Sequence, residues 1–350
     1  MRNAEFVNHY HAEPQIHDVK SVHFSVAAGR VGGVLTCVLM AALILLSVRA
    51  GETAELKKFT LGYSTVGPAG IGLWMAKEIG AFEKNGIDAQ LIFVSSGPVV
   101  VQALLGGDMH AGLAATSAVT AAVLAGAPLV SVMSLINRPY FRCWVQPEIS
   151  RMEDLRGKTL GVSRFGSVTD NMTRMLLRRY NLEGAVQIRQ MGGTTEMAAA
   201  FQRRQIDGAV MASVRVNTPV RMLVDLAELG IRYSNVVIAA SRDYYRRNPD
   251  IMEAMVRAYL EGVAAVSQQK ERALQVIQKY TRLQDPKMVQ ELYADGVKFL
   301  DRVPRMDAEA LTPIVEFMGK KPIPVEAIAD NSIVNRLERD GFIDKLYGKR

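Results

Sequence analysis

Segments typical of strands alternate with segments typical of helices from Phe59 onward, and this alternation constrains the fold more than any other feature. The first run begins at "FTLGYS" and ends at "PLVSVMSLI", with helical segments between its strands. A second run begins at "TLGVS", repeats the order and ends at "TPVRMLVDLAELG" (residues 218–230), which we predict to be helical. Such alternation is typical of an α/β fold with a mainly parallel sheet.

The carboxyl-terminal part of the chain follows a different pattern. Long helix-like segments occupy about residues 250–279, 287–300 and 308–318, with no strand-like segment between them. A tail of this kind has no sheet of its own and must pack on a unit that is already formed. We therefore predict two similar α/β units followed by a helical tail.

The amino-terminal segment is distinct from the fold. Residues 31–48 contain no charge, Arg30 precedes them, and small residues stand before a plausible cleavage point after Ala50. This pattern predicts a secretory signal that is removed near Ala50, while its length also allows an uncleaved membrane anchor. Residues 1–29 hold His9, His11, His17 and His23, which a metal-binding tail, a disordered extension or an early start codon would each explain.

Charge and cysteine content exclude several classes of protein. The net charge is +7, yet no lysine-rich tail and no alternation of basic and aromatic residues suggests nucleic-acid binding. A mildly basic protein is suited to an anionic ligand. After residue 50 the sequence contains a single cysteine, Cys143, and a single histidine, His110, so we predict no internal disulfide, no metal site, no cofactor and no catalytic group.

Small and hydroxyl residues gather where predicted strands end. They occupy residues 63–65, 95–97, 115–117 and 163–169. Ligands of α/β proteins bind beyond the carboxyl ends of strands, and helix amino termini there favour anions. Serine and threonine are also ordinary helix caps, so each loop alone fits either role. Four loops at corresponding positions of two units predict a shared cleft.

Four segments carry a resemblance to a known family: "GLWMAKEIGAFEKNGIDAQLIFVSSG", "QALLGGDMHAGLAATSAV", "EDLRGKTLGV" and "RRQIDGAVM". Over roughly residues 57–300 the chain resembles the periplasmic solute-binding proteins of ABC importers. It is most similar to the nitrate, sulfonate and taurine branch, which also contains the thiamine-pyrimidine proteins (SsuA/THI5-like, NMT1). The order of the first two segments is the most specific part of this resemblance.

The resemblance implies a two-lobed periplasmic-binding-protein fold of type II, a Venus flytrap, with a helical carboxyl-terminal tail. Two crossing strands would lie near residues 140–145 and 235–240. Lobe one would then comprise residues 57–140 and 241–350, lobe two residues 141–240, and residues 1–50 the extension and signal or anchor. A periplasmic monomer would capture a small-molecule ligand and deliver it to ABC permease subunits in the inner membrane.

The resemblance also implies which residues contact the ligand. Carried over by position, the expected contacts are Ser64, Thr65, Ser96, Thr116, Ser117 and Ser167. Arg164 and Arg215 are further candidates, because a guanidinium can hold a carboxylate or a sulfonate through two parallel hydrogen bonds. A solvated surface arginine is the alternative for both. We expect an anionic organic solute, such as a sulfonate or an aromatic carboxylate, while a neutral pyrimidine stays open.

Two other functions are compatible with the same fold. Thiamine-pyrimidine synthase-like enzymes resemble this chain, but that resemblance would call for a cysteine-rich motif and a reactive histidine. The sequence after residue 50 has neither. A ligand sensor for a receptor would use the same closure around a solute and would differ only in its partner.

Overall fold

The computed structural model describes residues 55–212 and 218–348. The predicted signal or anchor with its cleavage point, the four amino-terminal histidines and Arg215 therefore lie outside the described residues. The described chain contains two five-stranded sheets with helices around them and a helical carboxyl-terminal part. No helix in this part of the chain is both long and apolar enough to cross a membrane.

The first sheet has the strand order β2-β1-β3-β10-β4. Its strands are β1 (Lys57–Tyr63), β2 (Ile87–Phe93), β3 (Ala111–Ala115), β4 (Leu129–Ile136) and β10 (Val236–Ser241). Strand β1 runs parallel to β2 and β3, whereas β10 is antiparallel to both β3 and β4. The helices that connect the first strands are α1 (Pro68–Glu78), α2 (Ala81–Lys84), α3 (Gly97–Gly106) and α4 (Thr116–Leu124). All residues of the central strand β3 are buried, and so are all residues of the edge strand β4, as expected for a sheet that is covered by other elements.

The second sheet has the strand order β7-β6-β8-β5-β9. Its strands are β5 (Arg142–Val145), β6 (Thr159–Val162), β7 (Gln187–Gln190), β8 (Gly208–Met211) and β9 (Arg221–Asp225). Helix α5 (Val168–Arg179) follows β6, and helix α6 (Thr194–Gln202) follows β7. Strand β6 is parallel to β7 and β8, so the carboxyl ends of these strands meet at one edge.

The predicted helix at residues 218–230 is wrong. Residues Arg221–Asp225 form strand β9, which pairs antiparallel with β5. A single 3₁₀ turn, Leu226–Leu229, follows, and the Asp225 side chain accepts a hydrogen bond from the Ala227 backbone N–H at 3.0 Å. The pairing partner β5 lies far away in sequence, so the local apolar spacing could not reveal that this segment completes a sheet.

The carboxyl-terminal part is helical, as predicted. Its helices are α7 (Arg242–Arg247), α8 (Pro249–Gln268), α9 (Lys270–Thr281), α10 (Pro286–Phe299), α11 (Ala308–Phe317), α12 (Ser332–Arg339) and α13 (Phe342–Leu346). The long helix expected at residues 250–279 is interrupted at Gln269, whose φ and ψ of −124° and 61° are not helical. Helix α8 approaches α1 so closely that a β-carbon on Gly262 would lie 2.2 Å from the Gly72 carbonyl oxygen. This contact joins the tail to the first sheet.

Candidate solute-binding site

A cavity of about 310 Å³ lies where the carboxyl ends of strands from both sheets meet. Four of the predicted contacts line it: Ser64, Thr65, Ser96 and Ser167. Its other polar wall residues include Ser163, Thr169, Thr194, Thr195 and Gln202, and its apolar wall residues include Val66, Phe141, Val168, Met197, Met211 and Val236. The site is thus a small chamber with hydroxyl groups spread over a largely apolar surface, which is the usual character of a small-molecule site.

Five helices begin at this cavity. The residues that precede or open helices α1, α3, α4, α5 and α6 line its wall: Gly67, Ser96, Ala115, Ser167 and Thr194. The first N–H groups of a helix have no partner within the helix and carry the positive end of its dipole. None of the described residues that line the cavity has a charged side chain. The described wall therefore owes its positive character to backbone groups.

Two wall hydroxyls have no hydrogen-bond partner among the described residues. Ser96 is 2% exposed, and its Oγ is buried without a partner. Thr194 Oγ1 is in the same state at the start of α6. Neither α3 nor α6 has a side-chain hydrogen bond at its amino terminus. A buried polar group without a partner costs free energy, so these two hydroxyls are the wall groups most in need of a polar ligand atom.

The opening of α5 is organised differently. The hydroxyls of Ser163, Ser167 and Thr169 lie 2.9–3.0 Å from one another and form a closed triangle. Thr169 Oγ1 also accepts a hydrogen bond from the Ser163 backbone N–H, and Ser167 Oγ accepts one from the Asp170 N–H. These hydroxyls are largely satisfied within the protein, so they make the wall rigid at Ser167.

Two further predicted contacts, Thr116 and Ser117, are not among the cavity-lining residues. Thr116 Oγ1 lies 2.8 Å from Ser234 Oγ, in a segment that leads into β10. Ser117 Oγ accepts a hydrogen bond from Asn171 Nδ2 at 2.5 Å. Both residues do follow strand β3, as predicted, but their side chains bond to protein groups behind the wall. Their position in sequence did not reveal where the hydroxyls point.

Two arginines, Arg164 and Arg142, lie near the cavity without lining it. Arg164 is partly exposed and does not line the cavity, and its Nε is buried without a partner among the described residues. Arg142, which sequence reasoning did not single out, lies directly behind the wall and donates to the Ala212 carbonyl oxygen at 2.8 Å. Its guanidinium also bonds to Asp225 at 3.1 Å and to Asp295 at 2.9 and 3.0 Å. The hydrogen bond to Asp295 raises the pKa of Arg142, and two carboxylates compensate its charge.

Sequence reasoning also missed the wall contributed by α6, which follows β7. Thr194, Thr195 and Met197 follow the pair Gly192-Gly193 at the end of the predicted strand "VQIRQM". The signal was the same as in the four loops that were identified, namely small and hydroxyl residues between a strand and a helix. Phe141 and Met211 gave no such signal, because apolar residues of this kind are equally typical of a core.

The two side chains with the greatest chemical reactivity lie away from the cavity. Cys143 is fully buried in β5, and its burial raises the pKa of the thiol to about 12. His110 accepts a hydrogen bond from the Thr60 N–H at 2.8 Å and stacks between Phe59 and Tyr244. Across residues 55–212 and 218–348, no three His, Cys, Asp or Glu side chains are grouped so that they could hold a metal ion.

Comparison with known proteins agrees with this architecture. The alkanesulfonate-binding protein SsuA from Xanthomonas axonopodis pv. citri, bound to MOPS, superposes with a TM-score of 0.67 at 18% identity, covering 80% of this chain and 100% of its own. The periplasmic nitrate-binding protein NrtA from Synechocystis PCC 6803 gives 0.60 at 13% identity, with 82% and 89% covered. These similarities confirm the predicted two-lobed fold of periplasmic binding proteins.

Similarity in sequence covers a smaller share of the chain. A candidate binding protein of Brucella abortus (strain 2308) is 25% identical over 218 residues, which are 60% of this chain and 67% of the relative. The family model described as NMT1/THI5 like matches residues 68–273, more than half of the chain. This range includes the second sheet, every strand of the first sheet except β1, and every described residue that was predicted to contact the ligand except Ser64 and Thr65. The chain belongs to the NMT1/THI5-like family.

Proposed function

We propose that this protein captures a small organic solute between two lobes and delivers it to an ABC permease. The membership of strands in the two sheets supports lobe boundaries near those inferred from the sequence, with residues 57–140 and 241–350 in lobe one and residues 141–240 mainly in lobe two. Strand β10 belongs by its pairing to the first sheet, so we place the return from lobe two just before Val236. Hinge motion of the lobes would admit and enclose the solute.

The cavity shared by the two sheets is the observation that carries this proposal. Its wall is built from both sheets, and the two sides approach each other closely around it. A β-carbon on Gly67 would lie 3.6 Å from the Ala212 β-carbon, and one on Gly193 would lie 3.5 Å from the Ser95 carbonyl oxygen. A partly open chamber between two units is what a protein needs if it admits a solute and then closes around it.

The wall favours a solute with one negative charge and an apolar body. Helix amino termini stabilise negative charge, whereas a cation there would meet only positive dipole ends. The described wall offers no charged side chain to balance a second negative charge. An alkyl or aryl sulfonate or an aromatic carboxylate has this character. The solutes named for the similar structures, an alkanesulfonate and nitrate, are also monoanions.

The predicted contacts keep different roles in this proposal. We place Ser64, Thr65, Ser96 and Ser167 at the solute, together with Thr194 from the second sheet. Arg164 stays a candidate contact that closure would bring to the solute, and Arg215, which lies outside the described residues, stays a candidate on its sequence alone. Thr116 and Ser117 are better explained as groups behind the wall.

We infer that binding, and not chemical conversion, is the activity. An enzyme of the thiamine-pyrimidine synthase type would need reactive groups at its site. Cys143 and His110 do not line the cavity, and the Cys143 thiol is buried and protonated. Nothing in the described wall is a nucleophile with an adjacent base.

The proposed partners and cellular location follow from the proposed binding function and from the apolar amino-terminal segment. The apolar segment at residues 31–48 would direct export, with cleavage near Ala50 or retention as an anchor. A monomer acting outside the inner membrane would then present the closed form to permease subunits. A receptor that senses the closed form is the alternative partner, and binding assays with each membrane protein would separate the two.

Thermal unfolding with matched ligands tests the proposed function. Benzenesulfonate and benzoate are monoanions, whereas benzamide is neutral and benzylamine is cationic, on one ring. A ligand at about one hundred times its dissociation constant adds about 2.7 kcal/mol of stability. We expect stabilisation by the monoanions, weaker stabilisation by benzamide and none by benzylamine, with no change in the recovered ligand's mass. Nitrate, alkyl sulfonates and pyrimidines complete the panel.

Variants of the two unpartnered hydroxyls make the test specific. Ser96→Ala and Thr194→Val should weaken the preferred ligand roughly fivefold to tenfold each, the value of one hydrogen bond. Thr120→Val is the matched control, because Thr120 is fully buried, its hydroxyl has no partner among the described residues and it does not line the cavity. If a folded protein bound no member of the panel, the proposed solute class would be wrong.

A further inference from the structure

Helix α5 of the second sheet presents three side chains to elements of the first sheet and the tail. Asn171, Met175 and Arg178 recur at helical spacing and therefore lie on one face. This face meets α4 at one end and α11 at the other. We refer to the contact between this face and those two helices as the α5 seam. The seam lies beside the solute cavity and does not belong to it.

The α5 seam is in contact mainly at its two ends. At one end Asn171 bonds to Ser117 of α4, and at the other the Arg178 guanidinium lies over the Phe317 ring of α11, 4.7 Å from its centre. Between them is a space of about 170 Å³, lined by Met175, Tyr233, Pro313 and Glu316 among others. The seam thus depends on a few specific contacts and not on continuous packing, so the loss of one contact should have a measurable effect.

The Asn171 side-chain amide bridges helix α4 and the first turn of α5. Its Nδ2 donates to Ser117 Oγ at 2.5 Å and to the Ser167 carbonyl oxygen at 2.6 Å, which uses both of its hydrogens. Ser117 Oγ in turn lies 3.5 Å from the Gly166 carbonyl oxygen. Asn171 is 6% exposed and Ser117 4% exposed, so water does not replace these bonds while the seam is closed.

The bonds of Asn171 affect the solute site through Ser167. This residue lines the cavity and caps α5, and its carbonyl group is held by the same amide that holds Ser117. The first turn of α5 is therefore fixed to α4, the helix that follows β3 of the first sheet. Opening the cleft on this side requires that the bond between Asn171 and Ser117 breaks.

We propose that Ser117 and Asn171 are positioning residues that latch the solute site shut and so slow the release of the solute. This inference rests on the proposed function for its link to a solute, but not for the opening motion itself. The latch contacts no solute atom. It acts by holding the Ser167 end of α5 against the first sheet. In this proposal Ser117, which the sequence predicted as a ligand contact, acts through Asn171 and not on the solute.

Hydrogen–deuterium exchange of the purified protein without ligand tests the latch directly. Ser117→Ala should speed exchange roughly fivefold in both facing segments, residues 114–120 and 163–171, because the bond that holds them together is lost. Asn171→Ala should do the same. Thr120→Val removes an equally buried hydroxyl from the same helix and should leave both segments unchanged. Unchanged exchange in Ser117→Ala, or faster exchange in one segment only, would overturn the inference.

Dissociation of benzenesulfonate tests the effect on release. Trp144 packs against the apolar cluster that contains Met197 and Met211 of the cavity wall, so its fluorescence can follow release in a stopped-flow experiment. Ser117→Ala should speed dissociation roughly fivefold to tenfold, with the association rate within twofold of the parent protein. A variant that is merely destabilised would unfold at a lower temperature, but its dissociation rate would not rise while its association rate stayed the same. Equal dissociation rates would also overturn the inference.

The two experiments separate failure of the latch from failure of the proposed function. Faster exchange in both segments with no binding of any ligand in the panel would support the latch and contradict the proposed solute class. Binding with unchanged exchange and unchanged release would support the function and contradict the latch. If Asn171→Ala did not fold, Ser117→Ala, which removes a single oxygen atom, would still decide.

Discussion

The two sheets have the same number of strands but differ in how completely they are covered. Every residue of β3 and β4 in the first sheet is buried, and β10 is exposed in part only at Ser241. In the second sheet most strands have four residues, and the edge strands β7 and β9 are largely exposed or partly exposed. Because burial of apolar surface is the main favourable term in folding, the first sheet should supply most of the stability and the second should move more easily.

The helical tail accounts for this difference. It adds its apolar faces to the first sheet, and residues Met252, Val256, Tyr259 and Leu260 of α8 are all buried. The second sheet receives only α5 and α6 from its own connections. Two residues of the tail also reach this part of the molecule, since Asp295 of α10 bonds to Arg142 and Phe317 of α11 lies against Arg178 of α5. A binding protein that closes by hinge motion gains from such an asymmetry, because one lobe can act as a fixed base.

The largest expected effect comes from a substitution that disturbs the packing of lobe one, which would act as the fixed lobe. Gly262→Ala places a β-carbon 2.2 Å from the Gly72 carbonyl oxygen and 2.6 Å from the Ala76 nitrogen, both backbone atoms that cannot turn aside. Helices α8 and α1 must separate, which should lower the free energy of unfolding by about 3 kcal/mol. Urea denaturation measures this loss.

Gly106→Ala is the control for that prediction. Its φ is not positive, and the nearest atom to a new β-carbon would be a carboxylate oxygen of Asp108 at 3.3 Å, at the end of a flexible side chain. Its stability should stay within about 0.5 kcal/mol of the parent protein. Equal stability of the two variants would show that helices α8 and α1 can accept a methyl group at Gly262 without separating.

A smaller effect is expected where the tail meets the second sheet. Asp295→Asn removes one of the two carboxylates that compensate Arg142, and only 19% of the Arg142 side chain is exposed. We expect a loss of about 2 kcal/mol in urea denaturation, because a partly buried charge loses half of its compensation. Glu148→Gln is the control. It breaks an ion pair with Arg204 in which both side chains are more than half exposed, and should change stability by less than about 0.5 kcal/mol.

The smallest expected effect is a pH dependence of the free energy of unfolding, and it arises at His110 in lobe one. Burial lowers the pKa of His110 below its usual value, so the unfolded chain takes up a proton at a higher pH than the folded chain does. The stability that His110 contributes is complete above about pH 6.5 and is lost as the pH falls towards its folded-state pKa. Denaturation of the parent protein and of His110→Gln between pH 7.5 and 5.5 checks this. The parent should lose more stability than the variant, and an equal loss in both would contradict it.

Local patterns in the sequence predicted most of the fold. Strands such as "FTLGYS" and "TLGVS" and the tail helices have strong periodicity and clear ends, and the family resemblance supplied the arrangement of the two lobes. Strand β9 was predicted wrongly because Met222, Leu223 and Val224 have no alternation that distinguishes a strand from a helix. Their state is decided by pairing with β5, a contact with residues far away in the chain.

The sequence predicted where the hydroxyl-rich loops lie, but not the direction in which each hydroxyl points. Ser64, Thr65, Ser96 and Ser167 line the cavity, because loops at the carboxyl ends of strands must meet there. Thr116 and Ser117 have the same sequence signature but bond to Ser234 and Asn171. The direction of a hydroxyl depends on neighbours that folding brings in from other elements, so sequence spacing alone could not show which hydroxyls line the cavity.

Strand β10 has a consequence for the order in which the protein can be assembled. It lies between β3 and β4, although about one hundred residues separate it from β4 in the chain. During synthesis the first part of the chain therefore emerges with a gap between β3 and β4 of its own sheet. That gap is filled only when residues 236–241 leave the ribosome, after the whole second sheet has been made. The part that supplies most of the final stability is thus the last to become complete, and a nascent chain remains incompletely folded over most of its length.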